Sequence, residues 1–260
     1  MVGKYVFVET HCHLVGTRGP QNTGETVKEA VEAGVVLILT AGIDVPSSEL
    51  CVEAAKEGRI LKACVGIHPW YADEYDGVAR EKLSRLAIKE NVVAISEIGL
   101  DFFGRMDHDW QRSENYIAKE TQINAFRGQI GLAVQKGLPV IVHDRSTKQE
   151  TLDILEEEDV KKVGGAIHGF TGDISQAHRC MELGLLLSIS ERALLRPDAE
   201  ELRNAVQQVP LDWLTTETDS AAPEGVIKAA ELIASLKGLK VQDVGQATTE
   251  NLKRVLKTRL

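Results

Sequence analysis

The chain has 260 residues, of which 43% are hydrophobic, so it can bury a large core, and intrinsic disorder is excluded. Its formal net charge of −9 argues against an extended basic groove for duplex nucleic acid. A phosphate-containing substrate is compatible with this charge, because bound divalent ions can dominate the local charge of a site.

Short apolar runs rich in β-branched residues recur along the chain and predict strands. There are eight of them: Tyr5–Thr10, Val35–Thr40, Leu61–Gly66, Val92–Ser96, Leu138–Val142, Gly165–Ile167, Leu185–Ile189 and Trp213–Thr216. Most are continuously apolar, which is typical of parallel strands that are covered on both faces.

Segments with apolar residues at helical spacing separate these runs. They include Thr26–Ala33, Glu49–Glu57, Val78–Lys89, Thr121–Gln135, Gln149–Glu157 and Glu200–Gln207. Strands that alternate with helices predict a parallel sheet. Because a (β/α)8 barrel typically needs about 250 residues, eight such units predict an α/β fold, a single TIM-barrel domain over residues 1–260.

The unit after the fourth run is the longest. Residues Asp101–Glu120 are mostly polar, with the aromatic side chains Phe102, Phe103, Trp110 and Tyr116 among them. A loop of this length in a compact domain is usually functional, so it is expected to form a wall or lid over the site. The alternative is a surface excursion that its aromatic residues hold in place.

Metal-binding or proton-transferring residues follow most of the apolar runs. In a TIM barrel the carboxyl ends of the strands meet at one mouth, where active sites lie. We therefore predict one metal centre whose ligands are His11, His13, Glu97, His143, His168 and Asp219. Taken singly, His143 and His168 could instead be satisfied core histidines, and a histidine pair such as His11 and His13 also occurs in strands without a function.

The positions of His11, His13 and Glu97 each give a separate physical reason for metal binding. Residues i and i+2 of an extended chain point to the same side, so His11 and His13 can hold one ion together. Glu97 ends an apolar stretch, where a buried carboxylate is costly unless it meets a cation. A metal-bridging carboxylate is the favoured interpretation, and a salt bridge to an arginine is the alternative.

Further residues near the strand ends are candidates for catalysis or substrate binding. Asp219 can bind metal and also accept a proton from metal-bound water, while Glu217 is expected one pleat deeper. Arg145 is suited to bidentate contact with a phosphate, or else pairs with a carboxylate at the surface. His68, which precedes Pro69, is expected to orient the substrate or to protonate a leaving group.

Six motifs together resemble the TatD-like metal-dependent deoxyribonucleases of the amidohydrolase superfamily, which have a TIM-barrel fold. They are ETHCHL at 9–14, VGIHP at 65–69, ISEIGLDF at 95–102, PVIVHDR at 139–145, IHGFTG at 167–172 and TETDS at 216–220.

The resemblance implies two ions that share Glu97. His11, His13, Glu97 and Asp219 would hold the first, and His143 and His168 would complete the second. It also implies that His68 and Arg145 face the substrate phosphate.

The chain departs from the family pattern at three places. Val15 stands where the family usually has Asp, and Pro223 comes later than the proline that usually follows the last motif. The seventh run ends in Ser190-Glu191-Arg192 instead of a small, glycine-rich turn. These departures leave every predicted ligand in place.

The leading hypothesis is a deoxyribonuclease that cleaves phosphodiester bonds at strand ends or in single strands, with Asp219, Glu97 and His68 as catalytic residues. Phe102, Phe103 and Trp110 could stack bases. The alternatives are an amide, lactone or small phosphoester hydrolase on the same site, and a non-catalytic metal-binding scaffold. The two divalent ions could be zinc, manganese, nickel, iron or magnesium.

Four cysteines, Cys12, Cys51, Cys64 and Cys180, are scattered without close pairing, as in a protein of the reducing cytoplasm. No apolar run approaches the roughly 18 residues that a membrane span needs. We expect a cytoplasmic protein that makes no membrane contact, and the sequence shows no sign of an obligate protein partner.

Overall fold

Eight parallel strands form one sheet in chain order, from β1 to β8. The structure, a computed structural model, describes residues 6–16, 19, 22–56, 58–104, 116–146 and 149–257. The strands are β1 (Phe7–Cys12), β2 (Val35–Ala41), β3 (Leu61–Val65), β4 (Val92–Asp101), β5 (Val140–Arg145), β6 (Gly165–Ile167), β7 (Leu185–Ser190) and β8 (Leu214–Glu217). The predicted TIM barrel is confirmed.

Helices follow the strands and cover the outside of the sheet. They are α1 (Thr23–Ala33), α2 (Val45–Ala54), α3 (Gly77–Leu86), α4 (Lys119–Lys136), α5 (Gln149–Glu157), α6 (Ile174–Glu182), α7 (Glu191–Leu194), α8 (Glu200–Gln208), α9 (Val226–Lys237) and α10 (Val241–Leu256). Short 3-10 helices cover Pro69–Glu74, Val160–Lys162, Leu211–Trp213 and Pro223–Gly225. Within the described part of the chain, no helix is both long and apolar enough to cross a bilayer.

Local sequence signals explain where helices begin and end. The start of α2 is a capping box: Ser47 N donates to Asp44 Oδ1 over 2.7 Å, while Asp44 N donates to Ser47 Oγ over 3.1 Å. The end of α1 is Gly34, whose φ of 103° favours glycine. These caps fix the helices against the ends of the strands that they connect.

Hydroxyl groups help to join β8 to β1 and so close the barrel. The Oγ1 atoms of Thr10 and Thr215 lie 2.6 Å apart, and Thr216 Oγ1 donates to Val8 O over 2.7 Å. These contacts are buried, so each one satisfies polar groups that would otherwise be costly inside the barrel.

The closure continues past the strand ends through backbone hydrogen bonds. Asp219 N donates to His11 O over 3.0 Å, and His13 N donates to Ser220 O over 2.9 Å. The segments that begin and end the barrel are therefore held side by side at its carboxyl mouth.

Strand β4 is longer than the sequence indicates. It extends to Asp101 because its pairing with β5 continues through Ile98 opposite Val142 to Asp101 opposite Arg145. The predicted strand end at Ser96 is therefore wrong, and Glu97 lies within β4 instead of following it.

The predicted lid is described only in part. Its first residue belongs to β4, its last two belong to α4, and residues 105–115, with Trp110 among them, lie outside the described residues. Phe102 is held by a cation–π contact, with Lys119 Nζ 4.0 Å from its ring centroid, whereas the Phe103 side chain is 62% exposed.

Gly99 is predicted to be indispensable for the pairing of β4 with β5. It lies opposite His143 with φ of 148°, and a Cβ there would be 1.9 Å from His143 O. Gly99→Ala should therefore lower the free energy of unfolding by about 2–3 kcal/mol, measured by urea denaturation of chelator-treated protein.

The matched control for this substitution is Gly131→Ala. Gly131 lies within α4, and a Cβ there would meet no atom within 4 Å. It should stabilise the protein by about 0.5–1 kcal/mol through helix propensity. Equal urea midpoints for Gly99→Ala and Gly131→Ala would show that a Cβ at position 99 does not disturb the pairing of β4 with β5.

Candidate metal centre

The structure brings all six predicted metal ligands together at the carboxyl mouth of the barrel. They come from β1, β4, β5 and the segments that follow β1, β6 and β8. Five of them are buried, and the side chain of the sixth, Asp219, is 9% exposed. The six are His11, His13, Glu97, His143, His168 and Asp219.

One oxygen of Glu97 faces the first group of predicted ligands. Glu97 Oε2 lies 3.4 Å from His11 Nε2 and 3.5 Å from His13 Nε2. Asp219 Oδ1 lies 3.4 Å from His13 Nε2 and 3.9 Å from His11 Nε2. The two imidazoles thus point toward the same space, as their i, i+2 spacing predicts.

The other oxygen of Glu97 faces the second group. Glu97 Oε1 lies 2.8 Å from His143 Nδ1 and 2.9 Å from His168 Nε2. These two nitrogens are 3.0 Å apart. Glu97 therefore stands between two groups of ligand atoms, one for each of its oxygens.

These residues fit divalent ions. Ligand atoms about 2.0–2.1 Å from a tetrahedral ion lie about 3.3 Å apart, and the separations above fall on both sides of that value. Both ring nitrogens of His11 and Oε2 of Glu97 are buried without a hydrogen-bond partner among the described residues. Buried polar atoms of this kind fit a site that binds a cation.

Acceptors behind two of the histidines orient their rings. His13 Nδ1 lies 3.2 Å from Ala41 O, and His143 Nε2 lies 3.1 Å from Asp101 Oδ2. These two acceptors hold a proton on the outer nitrogen and leave the inner nitrogen free to bind metal. Glu217 Oε1 accepts from Gly169 N over 2.6 Å and lies 3.6 Å from His168 Nδ1, which is too far for a hydrogen bond.

Asp101 is a site residue that the sequence analysis did not single out. Its Oδ2 accepts from Trp70 Nε1 over 2.9 Å and faces His143. Its Oδ1 accepts from Phe103 N over 3.1 Å and from Gly104 N over 3.0 Å. Alternation along β4 could have placed Asp101 on the same face as Glu97, but that signal was lost because the strand was predicted to end too early.

His68 lies beside Glu97, with 3.5 Å between its Nε2 and Glu97 Oε1, so it could also be a metal ligand. Its Nδ1, however, accepts the backbone N–H of Trp70 over 3.1 Å. A neutral imidazole that accepts at Nδ1 carries its proton on Nε2, so this nitrogen is a donor and not a ligand. The geometry is consistent with a residue that donates a hydrogen bond to the substrate.

Two arginines lie at the rim of the mouth. Arg145 ends β5 and is exposed, and its backbone pairs with that of Asp101. Arg192, in α7, donates from Nη2 to Asp219 Oδ2 over 2.9 Å. From the sequence this segment was recognised only as a departure from the family pattern, and no role was predicted for Arg192.

The buried carboxylate and the imidazoles shift one another's pKa values. Burial raises the pKa of Glu97, but the charges of His68, His11 and His168 outweigh burial and hold it well below its usual value. Burial lowers the pKa of His168, yet the nearby carboxylates raise it well above its usual value. For His68 burial prevails and lowers the pKa to about 4, so this imidazole is neutral at neutral pH.

The chain is similar to a protein-family model and to metal-dependent hydrolases over most of its length. The family model described as TatD related DNase matches residues 8–257. An uncharacterized metal-dependent hydrolase of Bacillus subtilis, YabD, is 31% identical over 261 residues, covering 96% of this chain and 98% of the relative. The 3′-5′ ssDNA/RNA exonuclease TatD of Erwinia tasmaniensis is 30% identical over 209 residues, covering 80% of this chain and 77% of the relative.

Among solved structures, the crystal structure of YjjV, a TatD homolog from Escherichia coli K12, superposes with a TM-score of 0.84. It is 26% identical, and the match covers 96% of this chain and 97% of that chain. The similarity therefore includes the strands that carry the predicted ligands.

Asp101→Asn is expected to weaken metal binding about 10–100-fold, because the amide no longer holds His143 as firmly. Calorimetric titration of chelator-treated protein with zinc or manganese measures this change. Asp144→Asn is the control, because this neighbouring carboxylate accepts from the hydroxyl groups of Ser146 and Thr151. Equal metal affinities in both variants would show that Asp101 does not orient a ligand.

Metal-free protein is expected to be most stable at mildly acidic pH. The pKa of Glu97 is depressed below 4.5, so its contribution is present above pH 4.5 and is lost as the pH falls. The pKa of His168 is raised above 6.5, so its contribution is present below pH 6.5 and is lost as the pH rises through the folded-state pKa.

Urea midpoints of chelator-treated protein should therefore peak at roughly pH 5–6.5. Glu97→Gln removes the carboxylate that causes the loss of stability at low pH and that raises the pKa of His168. The difference in urea midpoint between wild type and this variant should therefore also peak at roughly pH 5–6.5. A difference in midpoint that does not change with pH would show that Glu97 does not cause the pH dependence of stability.

Proposed function

The chain belongs to the TatD-related DNase family and is a metal-dependent hydrolase; on this basis we propose that it is a two-metal deoxyribonuclease. The bonds proposed for cleavage are DNA phosphodiesters at strand ends or in single strands. The observation that carries the proposal is the buried Glu97, whose two oxygens each face a separate group of metal-ligand atoms.

Two features support nucleic acid as the substrate, and the net charge limits the form that it takes. A relative that is 30% identical is named a 3′-5′ ssDNA/RNA exonuclease. The net charge of −9 disfavours a surface that wraps duplex DNA, whereas a strand end needs only local contacts at the mouth. Among the predicted base-stacking residues, Phe103 presents an exposed side chain beside the site.

We assign the two ions to the two sides of Glu97. His11, His13 and Asp219 would hold one, and His143 and His168 would hold the other, with Glu97 shared. Ions held here supply a nucleophilic water and neutralise charge on the phosphoryl oxygens. The mixed histidine and carboxylate ligands suit zinc, manganese, nickel or iron, and magnesium is a further candidate with DNA.

Side chains of the site would accept the proton, donate a hydrogen bond to the substrate and neutralise its charge. Histidine partners hold the pKa of Asp219 below its usual value despite burial, so it is ionised at neutral pH and can accept a proton from the attacking water. His68, neutral and protonated on Nε2, donates a hydrogen bond toward the phosphate or the leaving oxygen. With a pKa of about 4 it does not serve as a cationic acid at neutral pH. Arg145, exposed at the end of β5, would neutralise the phosphate.

We also propose a cytoplasmic location. All four cysteines are free and buried, as expected of thiols in a reducing compartment.

The proposal is tested by cleavage of end-labelled single-stranded DNA with metal-reconstituted protein. Glu97→Ala and Asp219→Ala should each lower the rate at least about a hundredfold, because each removes a metal ligand and Asp219 also the proton acceptor. Glu81→Ala in α3 is the control, since this carboxylate is 64% exposed and pairs only locally with Arg85. It should cleave at the wild-type rate.

The same protein should be offered lactones, acyl-amino acids and small phosphoesters. Hydrolysis of one of these without DNA cleavage, at two bound ions per chain, would refute the nuclease assignment in favour of a small-molecule hydrolase. Bound metal without any turnover would indicate a binding scaffold.

A further inference from the structure

An exposed arginine contacts the proposed proton acceptor of the site. Arg192 Nη2 donates to Asp219 Oδ2 over 2.9 Å, while Oδ1 of the same carboxylate faces His13. We propose that Arg192 is a second phosphate-binding residue, which pairs with Asp219 in the free protein and with a non-bridging phosphate oxygen in the complex. This inference rests on the proposed function and assigns a further residue that binds the anionic phosphoryl group of the substrate.

The charge of the mouth shows why such a residue is needed. Five carboxylates lie in the mouth or directly behind it: Glu9, Glu97, Asp101, Glu217 and Asp219. Two divalent ions bring only four positive charges, so the occupied site has no net positive charge, whether or not Glu9 keeps its proton. Attraction of an anionic phosphate then depends on cations at the rim.

The contact between Arg192 and Asp219 is easily exchanged. The Arg192 side chain is 67% exposed, and an ion pair in contact with water contributes little to stability. The contact uses one nitrogen of a guanidinium that carries five N–H donors in a planar fork. A phosphate can engage that fork with two parallel hydrogen bonds, which are stronger than the exposed pair.

The backbone under Arg192 is fixed although its side chain is in water. The helix α7 follows β7 directly, and Ser190 Oγ accepts from Ala193 N over 3.2 Å at its start. Ala193 and Leu194 are buried, and Ser190 is paired with Glu217 of β8. The guanidinium is thereby held above the strand that leads to Asp219, whereas Arg145 stands at the end of β5.

The test compares Arg192→Ala and Arg192→Lys with Arg196→Ala. Arg196 is the matched control, because it is an exposed arginine four residues away that pairs with Asp198. Each metal-loaded variant is assayed for metal content, for binding of inorganic phosphate by calorimetry, and for kcat and KM on bis(p-nitrophenyl) phosphate.

Arg192→Ala should keep its metal, bind phosphate about tenfold or more weakly, and show most of its defect in KM. Arg192→Lys should recover part of the affinity for phosphate, because a lysine keeps the positive charge but lacks the planar guanidinium that donates two parallel hydrogen bonds. Arg196→Ala should match wild type in all three measurements.

The outcomes separate the inference from the proposed function. Unchanged phosphate affinity in Arg192→Ala, with wild-type cleavage of the diester, would overturn the inference alone. Loss of metal from this variant would also overturn it, since the arginine would then act by supporting Asp219 as a ligand. A wild-type protein with two ions that neither binds phosphate nor cleaves the diester would overturn the proposed function, and the inference with it.

Discussion

Burial of the Glu97 carboxylate is the constraint around which the mouth of this barrel is built. The side chain is 2% exposed, and a charge so far from water is costly unless positive groups surround it. Histidines from separate strands supply those groups, and their charges outweigh the effect of burial on the pKa of Glu97. Even so, Oε2 keeps no hydrogen-bond donor among the described residues. A bound cation removes this deficit, so metal affinity follows from the fold itself.

The barrel meets this constraint because parallel strands bring their carboxyl ends together. Its backbone and side chains then orient two of the rings: Ala41 O lies 3.2 Å from His13 Nδ1, and Asp101 Oδ2 lies 3.1 Å from His143 Nε2. Asp101 does more than orient a ligand. Through Trp70 Nε1 and the backbone N–H of Phe103 it connects that ligand to residues at the rim. The interior of the site and its substrate-facing edge are therefore parts of one hydrogen-bonded unit.

The division between interior and rim also separates chemistry from substrate choice. The ligand arrangement suits hydrolysis by metal-activated water, and it would serve a carbonyl substrate as well as a phosphate. Selection of an anionic substrate has to come from charges outside the ligand set, because the carboxylates of the mouth offset the ions. Exposed arginines at the ends of β5 and β7 provide such charges. Changes at these two strand ends are expected to alter the substrate of this barrel without changing its metal centre.

The sequence by itself determined the barrel and the set of predicted metal ligands. Continuous apolar runs marked the strands, and metal-binding or proton-transferring residues after most of the runs marked the mouth, since both signals are local along the chain. Only the tertiary structure decided which nitrogen of each histidine faces Glu97, that Asp101 meets Trp70, and that Arg192 meets Asp219. These partners come from different structural elements, 31 positions apart in one case and 27 in the other. Their contacts depend on strand register and side-chain direction across the barrel, which no local pattern in a single sequence records.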